Sequence, residues 1–113
     1  MGRTAIDLTH LARYTGGEKS LNGEVLRLFD DQLARLVAEL GSLIVTCDGK
    51  RWREVAHSIK GAARGVGAFV MGDLAASAEP INPADAPAAQ EAIAQLEREA
   101  QALHAFIDTY LAA

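Results

Sequence analysis

Apolar residues recur at steps of three and four over two long stretches of this chain. In the first they are Val25, Leu26, Phe29, Leu33, Leu36, Val37, Leu40, Leu43 and Ile44. In the second, Ile93, Leu96, Ala100, Leu103, Ile107 and Tyr110 follow one another at steps of 3, 4, 3, 4 and 3. A strand has a period of two and cannot present such a set on one face. A helix of 3.6 residues per turn gathers it into one stripe. Two stripes this long must be buried against other helices, in the antiparallel manner of a bundle.

Breakers and caps divide the rest. Ile6, Leu8, Leu11 and Ala12 mark a short helix over 5–14, with Asp7 in its first turn and Gly16-Gly17 ending it. Ser20 or Asn22 is suited to cap the next helix, 21–46. Cys47-Asp48-Gly49 turns the chain into a helix over 49–67, which stops at Gly67 because a glycine adopts the left-handed stop conformation without penalty. Trp52, the single tryptophan, reads as a core anchor near that helix's start. A fourth helix spans 69–79, with Phe69, Val70, Leu74, Ala75 and Ala78 as its apolar positions. Pro80, Pro83 and Pro87 punctuate a loop. Asp85 as cap, or Pro87 in the first turn, opens the last helix, 86–111. The expectation is an all-α, up-and-down four-helix bundle with a short extra N-terminal helix, one domain over 1–113. The two helices flanking the Asp48 turn form a hairpin.

Composition narrows the function classes. Half of the 113 residues are hydrophobic but only 5% are aromatic, so the core is aliphatic. A chain of this length buries roughly two-thirds of its unfolded surface, enough to fold without staples. The net charge of −4 and the lack of a dense basic stripe argue against nucleic acid. Cys47 is alone, which excludes a disulfide framework. No apolar run reaches membrane-spanning length, and no signal-peptide pattern opens the chain. Met1-Gly2 begins like a myristoylation site, but Ile6 stands where Ser or Thr is required. A cytoplasmic domain is expected, monomeric because four helices close a bundle within one chain.

The chemistry concentrates on the helix from Arg53 to Val66. Val55, Ile59, Ala63, Val66 and Val70 fall on one side of a helical wheel; Arg53, Glu54, His57, Lys60, Gly61 and Arg64 fall on the other. His57 is thus on the wet face, with a lysine at i+3 and a glycine at i+4. Glycine in an exposed helix interior costs about 1 kcal/mol relative to alanine, so something should need the missing side chain. An exposed neutral imidazole is a nucleophile near neutral pH. A cation one turn away can pair with an anion delivered to the ring. A glycine lets another protein's surface come close. A phosphoryl group fits all three.

His57-Ser58-Ile59-Lys60-Gly61-Ala62-Ala63, followed by Val66-Gly67-Ala68, resembles the H-x-[LI]-K-G-[AS]-[AS]-x-x-[LIV]-G-A signature of histidine-containing phosphotransfer (HPt) domains. The resemblance extends to chain length and helix layout. It implies that His57 accepts a phosphoryl group from a receiver-domain aspartate, through Nε2, and passes it to another receiver. Lys60 would offset phosphoryl charge, Gly61 would clear space, and Arg64 would help or keep the surface basic. Ser58, less exposed on the wheel, receives no role. The implied partners are response-regulator receivers and a hybrid sensor histidine kinase, with Mg²⁺ held by the receiver and no cofactor bound by this chain. Chemotaxis-kinase phosphotransfer domains carry a glutamate on the following helix that orients the histidine through Nδ1. Glu79 stands at the matching spacing, although Ala76 departs from that branch, where a polar residue is common.

Three other readings compete. A receiver-binding adaptor without phosphotransfer needs no exposed nucleophile. A metal bundle draws on Glu54-x-x-His57, for which Asp7-x-x-His10 is the other carboxylate-x-x-His spacing, but the former pair lies opposite the apolar stripe. Asp30, Asp31, Arg35 and Glu39 form a solvated outer face or, alternatively, a docking one. No Walker, kinase or G-x-S-x-G motif is present, so no autonomous ATP-dependent kinase activity is expected. His10 reads as a surface or cap residue, and His104 as a partly buried structural one.

Overall fold

The computed structural model describes residues 5–113. The Met1-Gly2 start weighed above lies outside them. Five helices follow in order: α1 (Leu8–Thr15), α2 (Lys19–Thr46), α3 (Gly49–Val66), α4 (Phe69–Ala78) and α5 (Ala86–Ala112). Helix α2 packs on α3 and α5, and α4 packs on the same two, so four helices close a ring around one core. Short connections make sequential neighbours antiparallel. The all-α bundle with a small added helix is the expected architecture. Among the described residues no helix is long and apolar enough to cross a membrane.

The core is aliphatic, as the scarcity of aromatics requires. Leu26, Leu40, Ile59, Leu96 and Leu103 are fully buried, and Trp52 with them. Truncating one such leucine to alanine costs about 2–5 kcal/mol, because transfer and cavity terms add. Val25, Leu36, Ile44, Ile93 and Tyr110 pack against this core from its edge. The Asp48 turn forms the expected hairpin. The Asp48 carboxylate accepts from the Arg51 backbone N–H at 3.0 Å and so caps α3. Asp85 does the same for α5 through Ala88 at 3.3 Å, with Pro87 in the first turn, so both start signals act together.

Gly67 ends α3 with φ +88°. Close approach adds a second reason for glycine there. The Asp7 N–H donates to the Gly67 carbonyl at 2.9 Å, and a Cβ on Gly67 would stand 2.7 Å from the Asp7 carbonyl oxygen. The lead into α1 is laid directly on the α3–α4 turn.

Several expectations are corrected. Helix α1 begins at Leu8 rather than residue 5, because Asp7 is its N-cap, accepting from the His10 N–H at 3.1 Å. Helix α2 begins at Lys19, after Glu18, and neither Ser20 nor Asn22 caps it. Asn22 is instead buried inside the helix. Its carboxamide oxygen accepts from the Thr15 hydroxyl, and its NH₂ donates to the Tyr110 hydroxyl at 3.1 Å. The Gly16-Gly17 turn is too short to leave Asn22 outside, and a buried amide must find partners. His10 is half-buried, its ring edge-on to Phe69 and Tyr14. His104 is exposed and its Nδ1 lies 2.8 Å from Asp30. Val70 belongs to α4, since the chain turns at Gly67 before reaching it.

Candidate functional site

His57 projects from the middle of α3 with its side chain 69% exposed. The helix buries Trp52, Val55, Ala56, Ile59, Ala63 and Val66, so the residues between them face water or a neighbouring helix. On the edge toward α4 the antiparallel packing meets the end of that helix. Glu79 is the C-cap residue of α4. Its Oε1 lies 3.1 Å from His57 Nδ1, and its Oε2 accepts from Lys60 Nζ at 2.8 Å. One carboxylate therefore holds both the imidazole and the cation placed one turn beyond it.

The electrostatics follow from that geometry. The Lys60 ammonium above all holds the Glu79 carboxyl below the usual carboxylate range; burial opposes it, and His57 adds a weaker pull in the same direction as Lys60. Glu79 is thus an acceptor at neutral pH. A carboxylate at Nδ1 selects the tautomer with the proton on Nδ1, which leaves the lone pair on Nε2. Nε2 is the nitrogen farther from Glu79.

Gly61 lies one turn from His57, and a Cβ there would meet nothing within 4 Å; the same holds for Gly65. Packing within this chain does not require either glycine. Ser58 is exposed, contrary to the wheel reading, and its hydroxyl donates to the Glu54 carbonyl at 3.0 Å, the usual back-bond of a helical serine.

Arg64 is not brought to His57. Its guanidinium lies 3.6 Å from Asp73 on α4. A Cβ on Gly72 would stand 2.8 Å from Arg64 Cγ, so the stem crosses α4 where a side chain is missing. The sequence reading missed the Gly72–Asp73 partnership. The signal available was a glycine inside a short helix.

The other side of α3 faces α2. Leu21, Leu28 and Glu39 share a row on α2, and Glu39 binds Arg51 of α3 through two hydrogen bonds of 2.6 and 2.9 Å. That row therefore borders α3. Leu28 is 71% exposed on it. Of the α2 face read as solvated, Asp31 and Arg35 are exposed, while Asp30 and Glu39 are held by His104 and Arg51.

Glu54 and His57 sit together on the outside of α3. Among the described residues no three His, Cys, Asp or Glu side chains gather to hold a metal ion. The arrangement is a helical bundle carrying one exposed, carboxylate-oriented histidine beside a lysine and two uncovered glycines. A family model described as the Hpt domain matches residues 24–106, from the first turns of α2 to the last turns of α5. The chain belongs to the Hpt domain family, and the match leaves α1 outside it. No curated protein and no solved structure matches the chain.

Proposed function

We propose that this chain is a phosphorelay intermediate in which His57 takes a phosphoryl group from the phosphoaspartate of one response-regulator receiver and hands it to the aspartate of another. Family membership implies histidine-containing phosphotransfer in a phosphorelay. The observation that carries the residue assignment is the Glu79 carboxylate shared between His57 Nδ1 and Lys60 Nζ.

The step balances on these residues. The Nε2 lone pair attacks phosphorus in line. The P–O bond to the receiver's aspartate breaks and its carboxylate leaves with the electron pair. The product ring carries phosphorus on Nε2 and a proton on Nδ1, and is therefore cationic. Glu79 faces that proton and stabilises the charge as it develops. Lys60 stands beside the transferred group and offsets phosphoryl charge. Gly61 and Gly65 leave room for the receiver, and exposed Leu28 on α2 supplies apolar surface. Mg²⁺ belongs to the receiver's acidic pocket in this reading, and a hybrid sensor kinase is the source of the phosphoryl group. The chain acts as a cytoplasmic monomer.

The test is transfer from a labelled, phosphorylated receiver with Mg²⁺. Acid-labile, base-stable label on the wild type, absent from His57→Gln, is the expected result. Absence of label with a broad panel of receivers overturns the reading in favour of a docking module without transfer.

A further inference from the structure

We infer that Trp52 is a positioning residue for the reacting histidine, acting through the end of α4. The inference rests on the reading of Glu79 as the carboxylate that orients His57.

Trp52 is completely buried, five residues before His57 on the inner side of α3. Its indole N–H donates to the carbonyl oxygen of Ala78 at 2.8 Å. Ala78 is the last helical residue of α4, and its carbonyl belongs to the peptide unit that continues into Glu79. The other end of the same unit is also bonded: the Glu79 N–H donates to the Ala75 carbonyl at 3.0 Å. The Ile81 N–H adds a second bond of 3.0 Å to the Ala78 oxygen. The peptide plane before Glu79 is held at both ends, and Trp52 ties it to α3.

That tie matters because it acts at the end of α4 that bears Glu79, whereas Met71 and Ala75 bury the body of the helix further back. The helix has ten residues, and no side chain caps its N-terminus at Ala68. Pro80 follows Glu79 and cannot extend the helix. Yet Glu79 must hold two α3 side chains at 3.1 and 2.8 Å. Angular tolerance at hydrogen bonds is narrow, and a shift of about 1 Å in a supporting element is enough to loosen both. The Trp52 bond reaches across from the helix that bears His57. It thus sets the relative position of the orienting carboxylate and the imidazole directly. A buried indole N–H needs an acceptor, and here the acceptor is the carbonyl of the peptide that leads into Glu79.

The experiment separates the N–H from the ring. Trp52→Phe keeps an aromatic in the core and removes the donor. Benzothienylalanine at position 52 keeps the bicyclic shape and lacks the N–H, and it serves where the phenylalanine variant fails to fold. Two quantities are read. One is the His57 ring ¹⁵N spectrum of the free protein, which reports the tautomer. The other is the transfer rate from a phosphorylated receiver. The expected result is a cooperatively folded variant with a smaller Nδ1–H fraction and a transfer rate reduced roughly three- to tenfold, less than direct loss of an orienting partner. In a Glu79→Ala background the same change should add nothing, because the route through Glu79 is already gone. Wild-type spectra and rate in a folded variant overturn the inference. So does an equal loss in the Glu79→Ala background, which would assign the effect to core packing. If Glu79→Ala alone leaves the tautomer and rate unchanged while His57→Gln abolishes label, the orienting role of Glu79 fails and the Trp52 inference fails with it. If His57→Gln keeps its label, the phosphorelay assignment fails, and the tautomer measurement still decides the role of Trp52.

Discussion

Two histidines of this molecule present nearly the same picture. His57 is 69% exposed with Nδ1 3.1 Å from a carboxylate; His104 is 67% exposed with Nδ1 2.8 Å from one. Each partner comes from another helix. What differs is the surroundings. Glu79 spends its second oxygen on Lys60, while Asp30 faces His104 with no such cation on it, and Asp108 adds a further negative charge nearby. At i+3 and i+4, His57 has Lys60 and Gly61 where His104 has Ile107 and Asp108. The hydrogen bond and electrostatic pull of Asp30 push His104 above the ordinary histidine range. The shift favours the protonated form, which has no lone pair to attack with, and flanking carboxylates repel a phosphoryl group. The histidine–carboxylate pair is common to both; the lysine and the cleared glycine face set the two apart.

The comparison breaks most sharply by substitution at the two rings. His57→Gln should lose all acid-labile label, and His104→Gln should retain the wild-type amount in the same assay. Next come the carboxylates. Glu79→Ala should slow transfer by about tenfold or more, the usual cost of removing an orienting partner. Asp30→Ala should leave the rate unchanged and return the His104 titration, followed by NMR, toward about 6.5.

The glycine face gives an effect of opposite sign on two readouts. Gly61→Ala should raise thermal or denaturant stability by roughly 0.5–1 kcal/mol, since the new Cβ meets nothing. Gly61→Leu should keep that fold but cut receiver-dependent labelling about tenfold, equivalent to ~1.4 kcal/mol of docking. A Gly61→Leu variant that transfers at the wild-type rate would remove the glycine from the comparison.

The smallest effect is on the pH dependence of stability. His104 has a raised folded value, so its contribution is full below the unfolded pKa and fades as pH rises through the folded one. Glu79 has a lowered folded value, so its contribution is full above the unfolded pKa and is lost as pH falls through the folded one. Denaturant melts of Asp30→Asn should lose the first dependence, and those of Glu79→Gln the second.

Much of this was legible in the residues. The wheel through Val55, Ile59 and Val66 put His57 outside, and Trp52 read as a core anchor near the helix start. Asp48, Gly67 and Asp85 announced their helix ends, because a cap satisfies backbone groups a few residues away. Two of the three misreadings share one cause. Asn22 has the chemistry of a cap, but partners on α1 and α5 bury it inside α2. His104 lies near an apolar seam, yet its ring swings to Asp30, 74 residues away in the chain. Ser58 faces solvent although the wheel had it less exposed. For Asn22 and His104 the side chain's surroundings came from another helix, whereas Ser58 bonds only within its own.

The sequence by itself determined the helices, their buried faces and the His57-Lys60-Gly61 register, because these depend on spacing within a few turns of one helix. Only the tertiary structure decided that Glu79, 22 residues on, divides its two oxygens between His57 and Lys60, and that Trp52 holds the peptide leading to it. Those contacts depend on how far α4 runs, where it stops and how it lies against α3. Loop length and core packing fix these quantities, and no local pattern of residues records them.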